Sequence, residues 1–271
     1  MENLTLTFGL FPILLFLLLG GVVGIVAGLF GVGGGLVVVP ALIWGLPLVG
    51  VEASLVVHIA VGTSLTTIVF TSLAAIRAHQ KRGAVLWDYV LRLTPGILVG
   101  SWLGGIAAGA MDAIMLQRVF GTFAVLVALR MFFLGNSSSA CRLTQAWLMT
   151  LAGSGIGLVS AIVGIGGGTM TVPLLHAGGV EMRKAVATSS ACGLPIALAG
   201  AASFAITGWA VEGLPAGSTG YLYWPVGLII VMTSVLTAPF GAAMAHRLPA
   251  AILKRVFAIF LLLMGVRLLL G

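Results

Sequence analysis

The sequence predicts an all-α polytopic membrane protein of about 8–10 helical segments, arranged as two inverted-topology repeats. Three observations predict this fold class. First, the 271 residues are 60% hydrophobic and only 7% charged, with a mean hydropathy of +1.22, whereas a soluble domain carries roughly 25% charged residues. Second, the apolar runs lack the apolar/polar alternation of barrel strands. Third, one glycine-rich motif occurs twice: Gly31-Val32-Gly33-Gly34-Gly35 continuing to Val39-Pro40, and Gly164-Ile165-Gly166-Gly167-Gly168 continuing to Val172-Pro173. The spacing is 133 residues from Gly33 to Gly166 and again from Pro40 to Pro173.

The elements follow in order. Met1-Glu2-Asn3-Leu4-Thr5 places no basic stretch ahead of the first apolar run, so a cleaved signal is not expected and 10–30 stays as a helix. It ends at the first glycine motif, because each glycine costs about 1 kcal/mol relative to Ala in a helix interior. The following stretch, 36–49, is shorter than the roughly 17–25 residues of a full crossing. It reads as a half-helix or one arm of a re-entrant hairpin. Spans at 53–76, 85–108 and 115–134 complete a first transmembrane repeat, 1–135. A polar linker, 136–142, contains Asn136-Ser137-Ser138-Ser139. The second repeat, 143–271, has the same order: 143–163, the second glycine motif, a short stretch at 169–178, then 183–207, 221–245 and 251–270.

The halves match beyond the glycines. Ala60-Val61-Gly62-Thr63-Ser64 corresponds to Ala185-Val186-Ala187-Thr188-Ser189, and Leu116-Gln117-Arg118-Val119-Phe120 to Leu253-Lys254-Arg255-Val256-Phe257. Loop charge sets their relative orientation. Arg77, His79, Lys81 and Arg82 make one loop basic, while its counterpart near 208–220 has Glu212 and no Lys or Arg. The loop at Glu52 lacks basic residues, while its counterpart has Arg183 and Lys184; the loop at Asp112 is nearly neutral, while its counterpart has His246, Arg247 and Lys254. Three reversals of sign are what the positive-inside rule requires of inverted repeats. They place the basic loops in the cytoplasm and both termini outside.

The glycine motifs are the first candidate site. Broken backbone at membrane depth is tolerated only where protein covers it or it lines a cavity, and paired interruptions in two halves point to a transporter's binding site. Gly33, Gly34 and Gly35, and Gly166, Gly167 and Gly168, would expose amides at the start of a half-helix, where the dipole favours an anion. Close helix packing is the plainer use of glycine, and single glycines such as Gly100, Gly104 and Gly241 are assigned to it. A hydroxyl cluster is the second candidate: Thr63, Ser64 and Thr67 in one half, Thr188 and Ser189 in the other, with Thr169 beside the second motif. Thr63, Thr66 and Thr67 share a helix face. These hydroxyls suit an anion's oxygens, and equally suit back-bonding to the helix or interhelical hydrogen bonds. His58 aligns with Arg183; the pair either recognises an anion or anchors helix ends.

Several classes are disfavoured. The acidic residues Glu2, Glu52, Asp88, Asp112, Glu181 and Glu212 all fall at loops or helix ends. Cation transport usually needs a mid-membrane carboxylate. The net charge of +7 sits mostly at segment ends and does not indicate nucleic acid. Cys141 and Cys192 have no metal or redox spacing, and neither metal nor cofactor is expected. Gly153-Ser154-Gly155 resembles the serine turn of an intramembrane protease but lacks a positioned His, so no enzyme is expected. No ATP-binding motif is present.

The paired Gly-x-Gly-Gly-Gly…Pro segments, each followed by Ala-Val-x-Thr-Ser, resemble the sulfite exporter TauE/SafE family, also called the four-toluene sulfonate uptake permease family. The resemblance covers essentially the whole chain. It implies a multi-pass transporter of the bacterial inner membrane, moving sulfonates, sulfite or related sulfur anions. The expected function is secondary transport, in the export direction, by alternating access at a mid-membrane site between two repeats. An anion channel or passive facilitator, and a permease for other small organic anions, are the alternatives. The expected partners are a small anion, the lipid bilayer, a coupling proton or ion, and a second copy of the chain in a homodimer. Thr169 for Leu36 and Ala187 for Gly62 make the half-sites chemically unequal.

Overall fold

The computed structural model describes residues 9–30, 34–133, 146–244 and 250–270. Gly31, Val32 and Gly33, the first eight residues, the 136–142 linker with Cys141, and His246 with Arg247 lie outside the described residues.

Each expected apolar segment is one helix. In chain order these are α1 (Leu10–Phe30), α2 (Gly35–Gly45), α3 (Ala53–Gln80), α4 (Trp87–Gly109), α5 (Ala113–Phe133), α6 (Ala146–Val163), α7 (Gly168–Ala177), α8 (Met182–Thr207), α9 (Trp224–Met244) and α10 (Ala250–Leu270). A 3-10 turn, Pro47–Val49, follows α2. A short antiparallel hairpin, β1 (Ser218–Thr219) with β2 (Leu222–Tyr223), precedes α9. The helix at 53–76 runs four residues further than its apolar stretch. Arg77 and His79 sit in its last turn, where the helix dipole favours basic groups.

Among the described residues six helices (α1, α3, α4, α5, α8 and α9) are long and apolar enough to cross a membrane. This is an all-α, multi-pass membrane protein. The apolar window of α3 is 72% buried and that of α8 56%, against 28% for α5, so α3 and α8 form the centre and α5 the rim. Small residues allow this: Ala60, Gly62, Thr63 and Ser64 on α3 and Ala185, Ala187, Thr188 and Ser189 on α8 are all buried. Outward side chains such as Phe11, Leu126, Met232, Phe240 and Leu263 are exposed, as lipid-facing positions should be.

Glycine stripes set the closest helix pairs. Gly96, Gly100 and Gly104 on α4 lie against the carbonyls of Thr150, Ser154 and Leu158 on α6. A Cβ at any of the three would strike backbone, so this contact admits glycine only. Ser154 Oγ donates to Thr150 O at 3.2 Å; the Gly153-Ser154-Gly155 run serves packing. Gly20 and Gly24 on α1 meet the carbonyls of Ile230 and Ser234 on α9 in the same manner, and Gly241 meets that of Ile25. Thr233 and Thr237 strengthen that pair by donating to Leu17 O at 2.8 Å and Gly21 O at 2.9 Å. The third pair, α5 with α10, crosses at Gly121 and Gly265, each facing the other's carbonyl.

The short helices turn back along their predecessors. Gly34 abuts Val23 and Gly45 abuts the Phe16 ring, so α2 runs antiparallel to α1. Gly167 packs beside Ile156 of α6, the same relation 133 residues later.

Candidate functional site

The break before each short helix is a left-handed glycine. Gly34 has φ +78° and Gly167 φ +74°, a conformation that L-residues adopt only at a cost of about 1–2 kcal/mol. Each is the N-cap of its helix, with no side-chain capping hydrogen bond. Gly34 O accepts from Val37 N and Val38 N, and Gly167 O from Met170 N and Thr171 N. The capping carbonyls are therefore used, while the first amides of each helix have no side chain to receive them. An uncapped N-terminus carries roughly half a positive charge and free donors.

The two breaks touch. Gly35, first residue of α2, lies against the Gly164 carbonyl and against Ile165 Cα. Ser64 Oγ donates to Gly164 O at 2.8 Å. Gly164 itself has φ +74° and fits between Val39 and Val61. Ile165 N closes the turn on Ser160 O at 2.9 Å. The start of one short helix, the first glycine of the other motif and the body of α3 thus meet at one buried point. Ser64 lies well inside α3, which extends about 42 Å at 1.5 Å per residue. That places the junction away from either helix end.

Each residue singled out by the sequence has a definite place. Gly34, Gly35, Gly166, Gly167 and Gly168 are all buried, and Gly35 makes the contact between the breaks; Gly33 lies outside the described residues. Ser64 is brought there directly. Thr67 donates to Ser64 O at 2.7 Å and Ser189 to Val186 O at 2.9 Å, both along their own helices. Thr63 Oγ1 accepts from Tyr223 N at 3.0 Å and Thr188 Oγ1 from Leu86 N at 3.0 Å. These two threonines thus hold the chain entering α9 and α4. Thr169 Oγ1 is buried and unpartnered beside the second break.

His58 and Arg183 do not join the junction. His58 is buried, stacks on Tyr221 with ring centroids 4.9 Å apart, and donates through Nε2 to Met111 O at 3.1 Å. Burial raises the Tyr221 phenol above its usual range. Arg183 is exposed in the first turn of α8.

Three hydroxyls at the second break were not singled out by the sequence: Ser72, Ser160 and Thr171, all buried and unpartnered. The Thr169-Met170-Thr171 spacing next to the glycines was the available signal for one of them; Ser72 and Ser160 carry no local signature. Among the described residues no group of His, Cys, Asp and Glu could hold a metal. An open groove of about 740 Å³ runs along α5, lined by Asp112, Arg118 and Thr122 among others. It includes none of the junction residues, and its outward position on the rim makes it a surface feature.

A family model described as "Sulfite exporter TauE/SafE" matches residues 16–268. A "Probable membrane transporter protein" of Haemophilus influenzae is 37% identical over 255 residues, covering 94% of this chain and 97% of that protein. One with the same description in Methanocaldococcus jannaschii is 27% identical over 267 residues, covering 94% and 95%. The Bacillus subtilis protein YunE, again a "Probable membrane transporter protein", is 25% identical over 270 residues, covering 92% and 94%. No solved structure matches the chain.

Proposed function

Because this chain belongs to the sulfite exporter TauE/SafE family and is a membrane transporter, not an enzyme, we propose that it moves small sulfur-containing anions, sulfonates or sulfite, across the bacterial inner membrane by alternating access. One observation carries the anion: the uncapped N-terminus of α2 lies against the second glycine break, which leads into a second uncapped helix start at Gly167. Each such end supplies donors and roughly half a positive charge, without a basic side chain.

The mechanism rests on two repeats, 1–135 and 143–271, of opposite orientation. The packing supports this reading. Exchanging the halves turns the α4–α6 contact into α9–α1 and α4–α8 into α9–α3, maps α5–α10 and α3–α8 onto themselves, and so preserves the most extensive helix pairs. The two threonine locks exchange as well: Thr63–Tyr223 becomes Thr188–Leu86. If the α1–α2 and α6–α7 hairpins enter and leave on the same face, each half crosses three times. The loop at Arg77–Arg82 and the turn before Arg183 then share the cytoplasmic face, and the 208–223 segment lies outside with both termini. Rocking of one half on the other would free Tyr223 from Thr63 on the outer side or Leu86 from Thr188 on the inner side.

The test is a thermal-shift screen of the purified full chain against sulfite, thiosulfate, taurine, sulfoacetate and carboxylate analogues. A sulfur anion that raises the melting temperature in wild type, and does so less in Ser64→Ala, supports the reading. Stabilisation by carboxylates alone favours the other-organic-anion alternative, and none by any anion refutes the site.

A further inference from the structure

We propose that the substrate is a single-headed monoanion whose acid group is held at the second break by Thr169, Thr171, Ser160 and, from α3, Ser72, with the first break contributing no hydroxyl; this rests on the anion site proposed above.

The argument starts from hydroxyls that ought to be satisfied and are not. In this chain helix-borne hydroxyls regularly donate one turn back: Thr66 to Gly62 O, Thr71 to Thr67 O, Thr94 to Val90 O, Ser190 to Val186 O and Thr207 to Ser203 O. Thr171 has Gly167 O one turn back and does not use it. Instead Thr171 Oγ1 lies 3.4 Å from the point a Cβ on Gly167 would occupy, so it is turned toward the start of α7. Ser72 Oγ and Gly166 O each lie 3.0 Å from the point a Cβ on Gly193 would occupy. Ser72 of α3 therefore reaches the same break from the other side. Ser160, one turn before the break, holds Ile165 N with its carbonyl while its own hydroxyl is unpartnered. Thr171 and Ser160 are fully buried and Ser72 is 2% exposed. A buried hydroxyl left without a partner is costly; Thr171 and Ser72 reach this helix start, with Thr169 in its first turn and Ser160 one turn before the break, as donors without an acceptor.

The first break has no such set. At the same 133-residue register Thr169, Thr171 and Ser160 are replaced by Leu36, Val38 and Ala27. An acid with two heads would need hydroxyls at both breaks; an acid with one head and an apolar remainder needs them at one. Charge selects further. Helix ends offer only fractional positive charge and no basic side chain among the described residues joins them, which suits a sulfonate and is too little for a dianion such as sulfate.

Binding of ethanesulfonate, ethane-1,2-disulfonate and sulfate to the purified full chain, by calorimetry, tests this. The expected order is ethanesulfonate tightest, by at least tenfold over both others. Thr171→Val and Ser160→Ala should each weaken ethanesulfonate about tenfold or more, since hydrogen bonds to a charged acceptor are the stronger class. Thr171→Ser should restore binding, and Val38→Ala should leave it within about twofold. Unchanged binding in both hydroxyl variants, equal loss in Val38→Ala, or preference for the disulfonate overturns the inference while leaving an anion site standing. Wild type that binds none of the three removes the anion site and this inference together. Apo melting temperatures of each variant separate lost folding from lost binding.

Discussion

Thr63 Oγ1 accepts the Tyr223 amide at 3.0 Å, and in doing so a hydroxyl of the central helix α3 holds the chain as it enters α9. The same bond recurs between Thr188 of α8 and Leu86 ahead of α4. Around the first lock, Tyr221, Leu222 and Tyr223 are buried, and the Tyr221 carbonyl lies 2.8 Å from where a Cβ on Gly62 would sit. The 218–223 hairpin is therefore drawn in against α3, and Val85 is buried beside the second lock.

Thr63→Val and Thr188→Val each leave a backbone amide without its acceptor, at a cost of about 1–3 kcal/mol. Both variants are expected to melt several degrees below wild type in detergent, with Thr→Ser at either position close to wild type. Equal melting temperatures for the Val and Ser variants would show that the locks contribute nothing.

Two glycine substitutions separate backbone strain from crowding. Gly50 has φ +81° and nothing within 4 Å of a Cβ, so Gly50→Ala should cost only the left-handed strain, about 1–2 kcal/mol. Gly35→Ala places a methyl against the Gly164 carbonyl, which is backbone and cannot rotate away. It should abolish recovery of monodisperse protein or lower its melting temperature far more than Gly50→Ala. Size-exclusion profiles and melts of the two variants decide the point.

Orientation can be read by labelling from the two sides of the membrane. Lys81, Arg183, Ala110 and Glu212 are all exposed. In a Cys141→Ser background, cysteines at Lys81 and Arg183 should react only when the cytoplasmic face is accessible, and cysteines at Ala110 and Glu212 from outside intact cells. Labelling of Lys81 and Arg183 positions from opposite sides would rule out the inverted arrangement.

Ser64→Ala removes the donor to Gly164 O at the contact between the breaks. Its backbone lies within α3 and its neighbours are unaffected in size, so the fold should survive with a loss of about 1 kcal/mol. Transport should fall by tenfold or more, because the carbonyl it positions adjoins the proposed anion. Transport at the wild-type rate would detach Ser64 from the site.

Much of this was legible in the sequence because membrane helices announce themselves. Long apolar runs gave the number of helices, and the glycines at 34 and 167 marked the breaks because no other residue takes their backbone cheaply. The roles of the hydroxyls were not legible. Thr63 and Thr188 recur with Ser64 and Ser189, which resembles a ligand motif, yet both oxygens accept backbone amides from the opposite half, a pairing 160 residues away for Thr63. Thr171 was not singled out, since only the fold shows that its hydroxyl leaves Gly167 O unused. Arg183 aligned with buried His58 but lies on the surface; sequence register matches positions, not depth, and the first turn of α8 begins at solvent.

Counterflow in proteoliposomes tests the central claim most directly. Vesicles holding the purified chain are loaded with unlabelled ethanesulfonate and diluted into a trace of labelled ethanesulfonate. A carrier that alternates access around the joined breaks predicts transient accumulation of label above the external concentration, lost in Thr171→Val and retained in Thr171→Ser. Uptake that only equilibrates, with a conductance that follows the membrane potential, would contradict it and identify a channel.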